Sequence, residues 1–435
     1  MKNFLTIVAG KFVRKITQIK GGGSALPGLF IERVNPKFIA DTLDKLPHGV
    51  VIISGTNGKT TTTKMVAELL AAQGLKVFTN KTGSNFVRGI AAAILGEVSW
   101  RGKFNFDIAV LELDEAHAVK FLDIKKPRYS LLLNVMRDQL DRFGEIDYTA
   151  GLLQKIGAAT EEIVVLNRDD FHLGEVNFFD NFKAKQRTFG VAPSLRKEFP
   201  NDSELHGESS ADDSEYGGRT MLFADDVSLE KVSGRAATIA FGGEDFDLNF
   251  EISGVYNLLN AAAAIALVRA VFDQEKLELN QSSLLETIQN IKPAFGRGET
   301  VEVNGVPIEL VLVKNPGGFR LGLKSFAPEN YSTMIAINDN YADGRDMSWL
   351  WDVDFSSLAD YGVEQISGIR AYDMALRLFH DGVEFAEADV ETDLKIAVKN
   401  FVGKNQKPKR IFCTYTAMLK IREELAKITD VEKVL

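Results

Sequence analysis

The residues best suited to bind a phosphate group lie between positions 55 and 60. They are, in order, Gly55, Thr56, Asn57, Gly58, Lys59 and Thr60. A glycine-rich loop of this kind leaves backbone N–H groups free to donate to phosphate oxygens, and a helix after it adds the positive end of its dipole. Lys59 would then reach the β- and γ-phosphates of a nucleotide, and the Thr60 hydroxyl would bind Mg²⁺. We therefore predict a nucleotide-binding loop here.

The loop is a shorter variant of the common eight-residue motif, which has a glycine where Ile53 stands. The alternative is a glycine turn that happens to contain a lysine. Residues 50–54 form an apolar run typical of a buried strand, and residues 59–73 have helical periodicity. A strand before the loop and a helix after it are what phosphate binding requires, so we favour the functional interpretation.

Further side chains with suitable chemistry follow other predicted strands. Glu112 ends the strand predicted at 107–112, where its carboxylate would help to bind Mg²⁺. Lys314 precedes an Asn-Pro-Gly-Gly loop and would contact a phosphate, the alternative being an ordinary surface lysine. His117 either lines the same site or takes a packing role at the start of a helix, and the sequence favours neither.

An aspartate-rich segment at 339–354 contains two tryptophans, Trp349 and Trp351. A solvated loop whose aspartates cap helices is the simpler interpretation. Exposed tryptophans are costly, however, unless they pack or meet a partner. The segment is therefore a candidate contact surface.

Composition limits the function further. A length of 435 residues predicts two or three domains, and a net charge of −9 argues against binding to nucleic acid. The one cysteine, Cys413, excludes a disulfide framework and a cysteine-rich zinc site. It lies in an apolar strand without the small neighbours of a nucleophile, so we expect a buried core residue. We expect a cytoplasmic protein.

The first residues predict an amphipathic helix and not a signal peptide, because Lys11, Arg14 and Lys15 interrupt the apolar run. Its apolar residues recur at helical spacing: Phe4, Leu5, Val8, Phe12 and Ile16. We expect this helix to pack on the body of the protein in preference to touching a membrane surface.

Strands alternate with helices along the chain, which predicts an α/β fold with parallel-rich sheets. We predict a helical segment at 1–46, a central nucleotide-binding domain at 47–292 and a C-terminal α/β, Rossmann-like domain at 293–435. An acidic, serine-rich insertion occupies 193–220. The predicted strands are 50–54, one that begins at 77–78, 107–112, 129–134, 162–167, short strands near 236–252, 308–313, 333–338, 364–369 and 409–414. A helix is predicted at about 257–272.

The Gly-Thr-Asn-Gly-Lys-Thr-Thr-Thr sequence resembles the phosphate-binding loop (P-loop) of the Mur ligase superfamily. This resemblance implies ATP-dependent phosphorylation of a carboxylate, followed by attack of an amine on the acyl phosphate. It implies catalytic roles for Lys59 and Glu112, and Mg²⁺ binding by Thr60 and Glu112. The ATP contacts it implies are residues 55–60 together with Thr61, Asn257, Asn260, Arg297, Lys314 and Asn315.

Other motifs resemble the MurT family within that superfamily. They are the Arg-Asp-Gln-Leu-Asp-Arg sequence at 137–142 and the Asp/Trp segment at 339–354. The resemblance implies amidation of the D-glutamate α-carboxyl of lipid II at the inner face of the membrane, with ammonia from a GatD-type glutaminase. It further implies that one aspartate completes the partner's Cys–His pair. We favour Asp352, with Asp346 and Asp354 as alternatives.

The chain departs from the family pattern at two sites. The acidic insertion stands where many relatives carry a four-cysteine zinc ribbon, so we predict no structural zinc. Gln139 stands where typical Mur ligases place a histidine that binds the metal. Lys155 lies near the position of a carbamylated lysine, and its register leaves that assignment open.

Two other functions are compatible with the loop. A stand-alone ligase would add an amino acid, as folylpolyglutamate synthases do, but the aspartate-rich segment disfavours it. A non-catalytic scaffold for a glutaminase would not need Lys59, Thr60 and Glu112.

The loop also lies near the first residue, without room ahead for a UDP-binding domain, which leads us to expect a substrate not carried on UDP.

Overall fold

The computed structural model describes residues 2–19, 25–80, 86–137, 146–200, 226–292, 297–326 and 328–431. Their strands form two sheets, one within residues 50–249 and one within residues 297–413. The second sheet begins at Arg297, after the position of the predicted boundary at 292 and 293.

The strands of the first sheet are β1 (Val50–Ser54), β2 (Val77–Thr79), β3 (Ile108–Glu112), β4 (Tyr129–Leu132), β5 (Ile163–Asn167), β6 (Lys185–Val191), β7 (Val227–Ser233), β8 (Ala236–Phe241) and β9 (Glu244–Asn249). Their order in the sheet is β2-β3-β1-β4-β5-β6-β7-β8-β9. The pairs are parallel from β2 to β7, and β8 and β9 add an antiparallel edge.

Helices cover both faces of this sheet. They are α1 (Lys2–Ile19), α2 (Ala25–Val34), α3 (Phe38–Leu43), α4 (Lys59–Ala72), α5 (Val87–Glu97), α6 (Glu115–Leu122), α7 (Ile146–Ala159), α8 (Val255–Glu275) and α9 (Gln281–Gln289).

The continuous apolar runs of β1, β3 and β5 reflect burial on both faces. Successive side chains of a strand point to opposite faces. Accordingly, Val51 and Ile53 join the core that contains α4 and α8, whereas Val50 and Ile52 join the core that contains α3 and α5.

The strands of the second sheet are β10 (Arg297–Val303), β11 (Val306–Leu312), β12 (Ser332–Ala336), β13 (Gln365–Ser367), β14 (Val390–Glu391) and β15 (Lys409–Cys413). Their order is β10-β11-β15-β12-β13-β14, and all pairs are parallel except the β10–β11 hairpin. Its helices are α10 (Pro316–Ser325), α11 (Ala371–His380), α12 (Leu394–Gly403) and α13 (Tyr415–Leu425).

The N-terminal helix α1 packs on the body, as the sequence predicts, through its Ile7 side. Ile7 is buried in the core formed by α2, α3 and α5. At Gly10 the helix comes so close that an added Cβ would lie 3.0 Å from Leu95 Cδ2 and 3.1 Å from Ile31 Cδ1. The opposite side of α1, which carries Val8 and Phe12, is exposed.

Among the described residues, α8 is the helix long and apolar enough to cross a membrane, but 72% of that apolar window is buried inside the protein. Its alanines and leucines pack against α4 and the strands of the first sheet. Its apolar character is therefore that of a central core helix.

We expect Leu267→Ala in α8 to lower the free energy of unfolding by about 2–5 kcal/mol, because Leu267 is fully buried and its truncation leaves a cavity. Leu277→Ala, at a side chain that is 38% exposed, is the matched control and should cost less than about 1 kcal/mol. Urea unfolding measures both. Equal losses would contradict the role of α8 as the core helix.

Candidate functional site: a phosphate loop between two domains

The phosphate loop, residues 55–60, joins the end of β1 to α4. Gly55 and Gly58 both have positive φ, at 139° and 86°, a region that favours glycine. A Cβ on Gly58 would also lie 2.6 Å from Asn260 Oδ1. Glycine is therefore required at position 58 for two reasons, the positive φ of the turn and the close approach of Asn260 from α8.

The chain after β4 forms the other wall of the loop. Asn57 N donates to Asn134 Oδ1 at 2.8 Å, and Asn134 Nδ2 donates to Asn57 O at 3.1 Å. Thr56 Oγ1 donates to Met136 O at 3.2 Å and accepts from Met136 N at 3.1 Å. These paired hydrogen bonds fix the loop backbone against the neighbouring strand.

Lys59 lies inside the loop and is almost fully buried. Its ammonium donates to Gly55 O and, at 3.2 Å, to Thr56 O. Its Nζ also lies 3.5 Å from Glu115 Oε1. A lysine held this way presents a localised positive charge at the centre of the loop, where a phosphate would bind.

Thr60 and Glu112 are in direct contact, because Thr60 Oγ1 donates to Glu112 Oε1 at 2.7 Å. A hydroxyl and a carboxylate are oxygen ligands that suit Mg²⁺, which usually takes one or two protein carboxylates plus phosphate and water oxygens. The pair is therefore suited to hold the metal of a Mg–nucleotide complex. In the described ranges no cluster of three or more His, Cys, Asp or Glu side chains could bind a metal.

Asn80 positions Glu112. Its Nδ2 donates to Glu112 O at 2.8 Å, and its Oδ1 accepts from Glu112 N at 2.9 Å. Asn80 is buried at the end of β2, beside β3. No local sequence pattern marks Asn80 as a site residue, because its role depends on the order of the strands.

Asp114 is a carboxylate near the phosphate loop whose ionisation is favoured by neighbouring positive charges. Burial opposes its ionisation, yet the neighbouring His117, Lys59 and Lys314 together hold the pKa of its carboxyl below the ordinary value. His117 Nδ1 lies 3.7 Å from Asp114 Oδ1. The positive charges of Lys59, in the first domain, and Lys314, in the second, therefore both favour the ionised form of this carboxyl.

The second domain also touches the loop through Asn315. Its Nδ2 donates to Asn57 Oδ1 at 3.4 Å, while its Oδ1 caps α10 by accepting from Gly318 N at 2.6 Å. Gly317 keeps α10 close, since a Cβ there would lie 3.3 Å from Met136 Sδ. The end of β11 is thus brought to the phosphate loop.

Other predicted residues have different surroundings. Thr61 is buried in α4, and Asn257 Nδ2 donates to Ser253 O at 2.6 Å at the start of α8. Arg297 is the first residue of β10, and its side chain lies outside the described part, as does Gln139. Lys155 is exposed on α7, and no described contact joins it to Thr60 or Glu112.

Asp352 is likewise not among the described residues that contact the loop. It is exposed at the end of a short helical turn, Ser348–Asp352, in which Trp349 is buried and Trp351 is half exposed. Its predicted catalytic role therefore concerns a different surface.

The sequence matches two family models, MurT ligase C-terminal at residues 312–418 and Mur ligase middle domain at residues 53–268. It is 31% identical to the lipid II isoglutaminyl synthase (glutamine-hydrolyzing) subunit MurT of Streptococcus pneumoniae, over 100% of this chain and 99% of that protein. The MurT subunit of Staphylococcus aureus (strain N315) is 28% identical over 87% of this chain and 88% of its own length. The chain belongs to the MurT family.

Solved structures confirm the predicted α/β Mur ligase fold for this MurT family member. MurF from Acinetobacter baumannii has a TM-score of 0.67 at 14% identity, covering 92% of this chain and 80% of that one. Folylpolyglutamate synthase from Thermotoga maritima has a TM-score of 0.56 at 16% identity, covering 90% of this chain and 92% of that one. These structures show the fold, and the full-length relationship to MurT subunits shows that the chain is a carbon–nitrogen ligase subunit of the Mur type.

We expect Asn80→Ala in this MurT family protein to raise the Mg²⁺ concentration needed for half-maximal ATP turnover by about 10- to 100-fold, the usual effect of removing a residue that orients a metal ligand. The variant leaves the N–H and C=O of Glu112 without their partner. Asn249→Ala, at an exposed position of β9, is the control. An unchanged Mg²⁺ dependence in folded Asn80→Ala protein would refute the positioning role.

Proposed function

We propose that this chain is the ATP-dependent subunit that amidates the α-carboxyl of the stem-peptide D-glutamate in lipid II, giving D-isoglutamine. The names of its MurT relatives in Streptococcus pneumoniae and Staphylococcus aureus supply the substrate. The observation that carries the chemistry is the phosphate loop itself, which holds buried Lys59 and the Thr60–Glu112 pair and is contacted by Asn315 of the second domain.

The proposed reaction has two steps. A carboxylate oxygen of the substrate attacks the γ-phosphorus of ATP, the bond to the β-phosphate oxygen breaks, and ADP leaves. Ammonia then attacks the acyl carbon, the bond from that carbon to the phosphate oxygen breaks, and phosphate and one proton are released. Lys59 and Lys314 would stabilise the charge on the transferred phosphoryl group. Mg²⁺ held by Thr60 and Glu112 would neutralise the phosphate oxygens.

The ammonia must come from outside this chain. A glutaminase with a Cys–His pair hydrolyses glutamine through a reactive thiolate. Cys413 is the one cysteine in this chain. Cys413 is fully buried in β15, and burial raises the pKa of its thiol far above the usual range. A buried, protonated thiol cannot attack glutamine, which favours a separate glutaminase of the GatD type.

The surface that suits such a partner includes one side of α11. Tyr372, Leu376 and Phe379 are spaced at i, i+4 and i+7, and Tyr372 and Phe379 are 69% and 72% exposed. Trp351 lies beside this helix, with its ring centroid 5.2 Å from that of His380. Exposed aromatic groups clustered in this way are typical of the anchors of protein interfaces.

Asp352 is the aspartate best placed to act on a partner. Asp346 accepts from Ser348 N at 2.9 Å, and Asp354 accepts from Ser356 N at 2.8 Å, so both cap local turns. Asp352 is exposed and has no hydrogen bond or ion pair among the described residues. Beside Trp351, its carboxylate would orient the imidazole of a partner's Cys–His pair and stabilise its charged form.

We expect Lys59→Ala to lower amidation at least about a hundredfold with either ammonium or glutamine as nitrogen source, because it removes a charge that stabilises phosphoryl transfer. Asp352→Asn should lower only the glutamine-dependent reaction, by about 10³- to 10⁴-fold. Mass spectrometry of lipid II incubated with the reconstituted complex measures both.

Two outcomes would count against these roles. Equal loss of both reactions in Asp352→Asn would place that residue in the ligase chemistry. Full activity of Lys59→Ala with ammonium would show that the Lys59 charge does not stabilise phosphoryl transfer.

We expect Phe379→Ser to weaken binding of the glutaminase by about 2 kcal/mol, as for an aromatic interface anchor. Ile428→Ser, at an exposed side chain beyond the end of α13, is the control and should leave the affinity unchanged. Isothermal titration with the purified glutaminase measures the difference. Equal affinities for the two variants would exclude this side of α11 from the interface.

A further inference from the structure

The N-terminal helix α1 carries an unusual charge balance. Residues 1–31 include five Lys or Arg side chains and no Asp or Glu, in a chain whose net charge is −9. Of the described cations, Lys15 is exposed and Lys11 is half buried. Arg14 lies against α5, where a Cβ added to Gly96 would be 2.2 Å from Arg14 Nη1. Lys11 and Lys15 therefore remain on the outer side.

Apolar side chains share that outer side. Val8, Phe12 and Lys15 are spaced at i, i+4 and i+7 and so lie on one side of α1. Phe12 is 64% exposed, although the other side of the helix reaches the core through Ile7. The helix is thus apolar both toward the protein and toward solvent, which packing alone does not require.

A turn after α5 extends the same surface. Ser99 Oγ accepts from Lys103 N at 2.9 Å, and Gly102 N donates to Ser99 O at 2.9 Å, which closes a tight turn. Trp100 lies at its tip, 60% exposed, with Lys11 Nζ 5.4 Å from its ring centroid. Arg101 is exposed beside it. The turn thus adds a tryptophan and cations to the outer side of α1.

We propose that this N-terminal face, formed by Val8, Lys11, Phe12, Lys15, Trp100 and Arg101, docks on the surface of an anionic phospholipid bilayer. A helix that lies in the membrane interface combines exposed apolar side chains with flanking lysines and arginines. Tryptophan is enriched at that depth. A negative surface attracts a basic segment even when the whole protein is acidic.

The choice of a bilayer over another negative surface rests in part on the proposed function, because a lipid-linked substrate lies in a membrane. A polyanion such as nucleic acid would not bury the apolar side chains of Phe12 and Val8, whereas lipid chains would remove them from water. The exposure and the charges of the face do not depend on the enzyme's activity. Vesicle binding therefore tests the docking even if amidation is not found.

The test is co-sedimentation of the full chain with two kinds of vesicle, phosphatidylcholine alone and phosphatidylcholine mixed equally with phosphatidylglycerol. We expect binding to the anionic vesicles that weakens as salt rises, because salt screens the attraction. Phe12→Ser should reduce partitioning about tenfold, through loss of one buried aromatic side chain. Thermal unfolding should show the variant folded, since position 12 is exposed.

A pair of matched double variants tests the charges. Lys11→Glu with Lys15→Glu should reduce binding to the anionic vesicles at least about thirtyfold. Lys395→Glu with Lys399→Glu changes the net charge equally on α12, where both lysines are exposed and flank exposed Ile396, and should leave binding nearly intact.

Three results would overturn the proposal. They are equal binding of the wild-type chain to both vesicles, equal losses in the two double variants, and unchanged partitioning of Phe12→Ser. Light scattering, which measures the oligomeric state, tests the alternative that the face is a contact between two copies of the chain. A dimer that depends on Phe12, in a chain that ignores vesicles, would make the face a contact between copies.

Discussion

Parallel pairing of β1 with β3 on one side and β4 on the other brings the carboxyl ends of three strands to one edge of the sheet. Gly55 follows β1, Glu112 is the last residue of β3 and Asn134 lies just after β4. The phosphate loop, the carboxylate suited to Mg²⁺ and the asparagine that holds the loop are therefore neighbours, although they are far apart in the chain. The loop can adopt its path because Gly55 and Gly58 have positive φ. The rest of the site is arranged around this backbone.

The second domain completes the site and also separates the two halves of the proposed chemistry. One end of it brings Lys314 and Asn315 to the phosphate loop. Another part presents Asp352, Trp351 and the exposed side of α11 to solvent. A single small domain can thus face the nucleotide and a source of ammonia together, while the buried Cys413 takes no part.

Sequence patterns predicted the elements that are buried on both faces with bounds close to the observed ones. The strand predicted at 162–167 is Ile163–Asn167, and the helix predicted at 59–73 is Lys59–Ala72. Such elements are visible because continuous apolar runs and helical periodicity are local. Asn80 and Asn134 were not predicted as site residues, since a buried asparagine is distinguished only by partners from distant strands. The motif alone predicts that Lys59 binds phosphate. Its contact with Glu115 could not be predicted, because it depends on the strand order β3-β1-β4.

The proposed function requires that the loop at residues 55–60 activates a carboxylate as an acyl phosphate. The most direct measurement uses lipid II whose D-glutamate α-carboxylate is labelled with ¹⁸O, incubated with the chain, ATP, Mg²⁺ and ammonium. If the carboxylate oxygen attacks the γ-phosphorus, one labelled oxygen per turnover appears in inorganic phosphate, and the label depends on Lys59. Amidated product formed with unlabelled phosphate would contradict the account.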